Sequence, residues 1–200
     1  FGFSPSSPKT NWRRDKVVIR PGSGPQVMPG PHDTFAGYGL AWALTSNTPL
    51  RSTKLSSYEG GIRTPLIAHW PKVIKKGNGL TRQPGHVIDL MATCLDLADM
   101  KYPTEFQNRR PLPMEGKSLV PILRGEKRSG HETLAWKNPR GRALIMGDWK
   151  IVRPVDKLPW ELYDLSSDPG ETANLAKLQP GRVKDMAARY ETWRQRVGAR

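Results

Sequence analysis

The spacing of apolar positions changes several times along the chain, and each change marks an expected element. From His86 to Asp99 the residues Val87, Met91, Cys94, Leu95 and Ala98 recur at helical spacing, and Ile88, Leu90 and Leu97 widen the stripe. That pattern predicts a buried amphipathic helix, with Cys94 a small core residue inside it. Near the C-terminus Val183, Met186, Ala187, Tyr190, Trp193 and Val197 share one face of a 3.6-residue period, while Arg182, Lys184, Arg189 and Arg196 take the other. Between these helices the runs shorten. Glu132–Trp136, Arg142–Met146 and Trp149–Arg153 are separated by Asn138-Pro139 and Gly147-Asp148, and Trp160–Leu165 adds a fourth run before the turn-rich Ser166–Thr172. Short runs parted by turn residues predict a small antiparallel meander, on which the last helix would lie.

Two further stretches complete the expected architecture. Thr64-Pro65-Leu66-Ile67-Ala68-His69-Trp70 is nearly continuously apolar and is closed by Pro71, the pattern of a strand buried on both faces in a parallel sheet. Residues 116–125 read as one or two helical turns ended by Gly125. Residues 1–36 are mostly loop, with one β-like patch at Lys16–Arg20 and a Pro/Gly-rich run over 21–31. The expected fold class is therefore α/β, followed by a small α+β subdomain made of an antiparallel sheet and a long terminal helix. The corresponding domains are 1–125 and 126–200.

Composition narrows the function classes. A hydrophobic fraction of 36% supports a folded core rather than wholesale disorder. No window approaches the roughly 18 apolar residues of a membrane span, so no membrane partner is expected. The opening Phe1-Gly2-Phe3-Ser4-Pro5 has neither an initiator Met nor the regions of a signal peptide, and the natural terminus is expected elsewhere. Cys94 is the single cysteine, which excludes an intrachain disulfide and a cysteine-rich metal site. The net charge of +14 is spread along the chain without a basic block or an aromatic-basic signature. It suits a solvated surface that steers anionic substrates, rather than a specific nucleic-acid partner.

The candidate chemistry lies in residues 41–65. Glu59-Gly60-Gly61 offers two residues free to take positive φ, and allows close backbone approach just before an expected strand. Lys54, upstream of that turn, could project above the end of a sheet, where α/β proteins bind ligands. His32, His69, His86 and His131 read as loop, strand-edge or capping residues, and none is assigned a catalytic role.

At this point the chain resembles the sulfatase family of the alkaline-phosphatase superfamily. The residues that carry the resemblance are Ser46-Asn47-Thr48-Pro49-Leu50-Arg51, Lys54, Tyr58-Glu59-Gly60-Gly61-Ile62-Arg63-Thr64-Pro65 and His69-Trp70-Pro71. Pro84–Met91, Glu115–Leu119, Gly147-Asp148-Trp149-Lys150 and Glu161–Leu165 look like later landmarks of the same family, and the resemblance covers about residues 30–200. It implies an alkaline-phosphatase-like sheet with covering helices, hydrolysis of sulfate esters, and a sulfate-binding role for Lys54. It also implies a formylglycine nucleophile made from a Cys/Ser-X-Pro-X-Arg motif and a Ca²⁺ ion. This chain has no such motif, since Cys94 is followed by Leu95-Asp96-Leu97. The isolated Asp15 and Asp33 cannot supply the roughly six to eight oxygens that Ca²⁺ requires.

The implied partners are therefore a sulfate-ester small molecule or sulfated glycan and an N-terminal part of the same enzyme. The family's bacterial members are mostly periplasmic or secreted. One departure is Trp136-Lys137-Asn138-Pro139-Arg140-Gly141-Arg142, where many arylsulfatases read like Trp-Glu-His-Glu-Gly-Asn-Arg. Two alternatives stay open at this point: a phosphate or phosphonate monoester hydrolase of the same superfamily, and a non-catalytic module that binds polyanions.

Overall fold

The computed structural model of the chain describes residues 15–21, 31–35, 39–75, 79–139 and 141–199. The Pro/Gly-rich loop expected over 21–31 lies, apart from its two ends, outside the described residues. In chain order the elements are β1 (Arg20–Pro21), β2 (Thr34–Phe35), α1 (Leu40–Asn47), α2 (Glu59–Ile62), α3 (Asp89–Leu97) and α4 (Val120–Leu123). They are followed by β3 (Thr133–Lys137), β4 (Arg142–Met146), β5 (Trp149–Arg153), β6 (Glu161–Asp164) and α5 (Pro180–Arg196). They belong to two compact units, one of Phe1–Thr64 with Thr133–Arg200, the other of Pro65–Glu132.

The first unit is built on an antiparallel sheet in the order β3-β4-β5-β6. Met146 pairs with Trp149, so β4 and β5 are joined by the two residues Gly147 and Asp148, and Gly147 takes φ 58°. Positive φ at the first position of a tight hairpin is what glycine supplies without strain. Because side chains alternate along a strand, the sheet has two different faces. Leu144, Ile151 and Leu162 point to one and are buried against Met186 and Tyr190 of α5, with Val183, Ala187 and Trp193 at the margin. Those α5 residues are the apolar face read from the sequence, and Pro180 opens the helix where its missing N–H costs nothing. Ala143, Val152 and Tyr163 point to the other face and bury Tyr58. The sheet is thus covered on both sides, by the terminal helix and by the segment around α2.

In the second unit the buried face of α3 is Asp89, Ala92 and Thr93, and not the apolar stripe. Leu90, Met91 and Leu97 are exposed, and so is Cys94, contrary to the expectation of a core cysteine. The reason is polar. The Asp89 carboxylate and the Thr93 hydroxyl collect backbone N–H groups from Lys117 and Leu119, at 2.9 Å each, so hydrogen bonding selects which face turns inward.

The strand expected at Thr64–Trp70 is also corrected. Residues 63–70 form no ladder, and Leu66 and Ile67 are 66% and 90% exposed. A strand buried on both faces needs pairing partners at its edges and cover above and below, and none of the described residues pairs with this one.

Candidate functional site

Lys54 is displayed on a loop whose shape is imposed by glycine. The chain leaves α1, turns at Ser52 (φ 69°) and Leu55 (φ 71°), and re-enters helical geometry at α2. A Cβ on Gly60 would lie 2.3 Å from the Ser52 carbonyl oxygen, and one on Gly61 would lie 2.2 Å from that of Ser56. Both positions therefore exclude every other residue type unless backbone moves. The close backbone approach expected at Glu59-Gly60-Gly61 is present, but the positive φ is not, since Gly60 and Gly61 sit inside the α2 turn. Gly60 N–H donates to Arg51 O at 2.9 Å and Ser56 N–H to Thr53 O at 3.0 Å, which fastens the loop onto α2. Lys54 itself is exposed.

Beneath the loop lies a buried ionic cluster that the sequence reading did not find. Lys150 of β5 places Nζ 2.8 Å from Glu59 Oε1 and 2.8 Å from Glu171 Oε1, with all three side chains buried. Glu171 Oε2 also accepts the Glu59 N–H at 2.6 Å. Burial pushes the Glu171 carboxyl above its ordinary value, and the Lys150 ammonium and the Glu59 amide offset this only in part. Glu171 holds φ 55°, unusual for a residue with a Cβ, and this conformation accompanies its inward-facing carboxylate.

A second polar layer adjoins the first. The hydroxyls of Tyr58 and Tyr163 both donate to Glu161 Oε2, at 2.6 Å and 2.7 Å. Burial, reinforced by that carboxylate, pushes both phenols well above their ordinary value, so they remain donors. Arg51 Nη1 donates to Tyr163 Oη at 3.0 Å and to Glu171 O at 2.9 Å, and its guanidinium lies 4.0 Å from the centre of the Tyr58 ring. Ser57 Oγ accepts the Asn138 side-chain amide at 2.8 Å, which brings the β3–β4 connection onto the same segment. Chemically, the arrangement is a hydrogen-bonded and ion-paired platform beside a loop on which Lys54 is exposed.

The second unit has its own polar centre. Asp89 is wholly buried and receives the Arg128 guanidinium at 2.8 Å, His131 Nε2 at 2.7 Å, and the amides of His86 and Lys117 at 2.9 Å each. Burial alone would raise its pKa, but these donors outweigh it and bring the carboxyl down to about 2. With every lone pair engaged, Asp89 is an organiser of its unit rather than a base. Among the described residues no group of three or more His, Cys, Asp or Glu side chains is placed to hold a metal ion.

Comparison with known proteins gives these elements a context. The family model described as N-sulphoglucosamine sulphohydrolase, C-terminal, matches residues 53–192, a span that includes Lys54, Glu59, Lys150 and Glu171. An uncharacterized sulfatase of Schizosaccharomyces pombe is 31% identical over 180 residues, covering 84% of this chain and 31% of its own. An N-acetylgalactosamine-6-O-sulfatase of Bacteroides thetaiotaomicron is 30% identical over 173 residues, covering 76% of this chain and 32% of its own. The chain thus spans about a third of the length of these relatives. The crystal structure of Ps i-CgsB in complex with k-i-k-neocarrahexaose superimposes with a TM-score of 0.61 at 26% identity, over 73% of this chain and 32% of that one.

Proposed function

The chain belongs to the sulfatase family, to its C-terminal portion, and from that premise we propose that it completes a sulfuric-ester hydrolase by supplying Lys54 to the sulfate of the substrate. The observation that carries this reading is the lysine loop, an exposed Lys54 carried by a backbone that glycine at positions 60 and 61 permits. Negative charge grows on the ester oxygen as the S–O bond breaks, and a fixed ammonium stabilises that state more than the ground state. Lysine suits the task because its compact charge fits where the broader fork of arginine would need new room.

In this reading the formylglycine nucleophile and the Ca²⁺ ion come from an N-terminal portion of the enzyme, and no step assigned to this chain runs through either. The 90% and 92% exposure of Ile67 and Leu80 fits a chain that packs against such a portion. The N-acetylgalactosamine-6-O-sulfatase among the relatives makes a sulfated glycan the first substrate class to test, with small aryl sulfates as convenient probes. A net charge of +14 would draw either of them in.

The test is sulfate release from an aryl sulfate and from a sulfated glycan, assayed with the full-length protein and with the 200-residue chain alone. Release by the full-length protein and none by the chain alone is expected. Turnover by the isolated chain, or none by the full-length protein with its nucleophile modified and metal supplied, would overturn the proposal.

A further inference from the structure

We propose that Asn47 is a positioning residue for Lys54, closing the neck of the loop that carries it; the inference rests on the role of Lys54 proposed above. Asn47 is the last residue of α1, and its side-chain amide nitrogen donates to Ser52 O at 3.0 Å and to Gly60 O at 2.7 Å. Those two carbonyls mark where the chain enters the loop and where it leaves. One side chain therefore spends both of its amide hydrogens joining the entry of the loop to its exit. Lys54 lies two residues beyond Ser52, so a shift at the neck moves its ammonium directly.

One backbone bond supports this tie without reaching Ser52. The backbone bond from Gly60 N–H to Arg51 O holds the exit to the residue before Ser52, and the Ser52 carbonyl itself faces Gly60 at a distance that tolerates no Cβ. Asparagine also fits better than its isostere. An aspartate at position 47 would turn a carboxylate oxygen toward two carbonyl oxygens, replacing two hydrogen bonds with two repulsions at unchanged volume. The platform below, with Glu59, Lys150 and Glu171, fixes α2; Asn47 fixes the loop to α2. Misplacing a catalytic group by about 1 Å can cost on the order of 100-fold in rate, so the neck is a place where a remote amide controls turnover.

The test uses the full-length enzyme, its N47D, N47A and K54A variants and the N47D/K54A double variant, with aryl sulfates whose leaving phenols span a range of pKa. Since Lys54 acts on the ester oxygen, its loss should make kcat/KM depend more steeply on leaving-group pKa. A residue that works through Lys54 should reproduce that steepening, whereas damage to the fold alone would lower all substrates equally. We expect N47D to lose about 10- to 100-fold in kcat with a steeper leaving-group dependence, N47A to follow it, and N47D/K54A to be no slower than K54A, as groups acting as one unit are non-additive. Full multiplication of the two losses, a wild-type slope in N47D, or loss of folding in both Asn47 variants by circular dichroism would overturn the positioning role while leaving Lys54 in place. Wild-type kinetics in K54A would instead remove the reading of Lys54, and this inference with it.

Discussion

Lys150 Nζ lies 2.8 Å from Glu59 Oε1, across 91 residues of sequence, and its side chain is wholly shielded from solvent. With Glu171 on its other side, one ammonium serves two buried carboxylates. Lys150→Met would take away the counter-charge Lys150 gives Glu171 and leave Glu59 with only the exposed Arg63, 3.8 Å away, and breaking a buried pair in this way typically costs about 3–5 kcal/mol. The urea midpoint should fall accordingly. Adding Glu59→Gln and Glu171→Gln to the same chain should recover much of the loss, because no buried charge is then left over. A wild-type midpoint in Lys150→Met would show that the cluster contributes nothing to stability.

Glycine makes an equally sharp contrast. Gly60→Ala would set a Cβ 2.3 Å from the Ser52 carbonyl oxygen, so the loop must move. Gly181, in the first turn of α5, has open space around its Cβ position and no positive φ. Gly60→Ala is expected to lower both thermal stability and sulfatase turnover of the full-length protein. Gly181→Ala should leave turnover unchanged and raise stability by up to about 1 kcal/mol, the helix-propensity difference. Equal melting temperatures for the two variants would contradict the packing described for Gly60.

These contrasts also explain what could be read from sequence and what could not. The meander and α5 were legible because each strand and the terminal helix bury an apolar face, and period alone reports that face. Glu59-Gly60-Gly61 and Gly147-Asp148-Trp149-Lys150 were visible as separate motifs. Their joining was not, because a buried Lys–Glu pair leaves no periodic trace and its partners stand far apart in sequence. The stripe on α3 misled for the converse reason: Asp89 and Thr93 are buried by hydrogen bonds, which an apolar period does not record. Asn47 carried no signal beyond its place in a motif, since its function lies in two backbone carbonyls.

Asp89 supplies a prediction with a defined pH window. Its folded pKa of about 2 is below the unfolded carboxylate value of roughly 4, so its contribution to stability is fully present above that value. It is lost as pH falls toward the folded value. Amide-exchange protection at His86 and Lys117, whose N–H groups bind this carboxylate, should decline between about pH 4 and pH 2. Asp89→Asn should begin less protected and lose the pH dependence. Constant protection down to pH 2 in the unsubstituted protein would mean that Asp89 does not organise this unit.

The sharpest prediction concerns Lys54, whose proposed role is electrostatic and therefore depends on charge, reach and position in different degrees. Lys54→Ala removes the charge and should lower kcat of the full-length enzyme by about 10²–10³, the usual effect of deleting a positioned donor to a developing anion. Lys54→Arg restores the charge on a broader head group, so it should recover only part of that loss. Lys72→Ala and Lys75→Ala are the controls for bulk charge: Lys75 donates to the Lys72 carbonyl at 3.1 Å, and both belong to the other compact unit. If general attraction of a sulfated substrate were the whole effect, all three alanine variants would raise KM by similar factors and kcat would hold. If Lys54 acts on the ester oxygen, kcat falls in Lys54→Ala alone, and the deficit grows as the leaving phenol becomes less acidic. Wild-type kcat in Lys54→Ala, with fold and metal content intact, would leave the loop a structural ornament of the sheet beneath it.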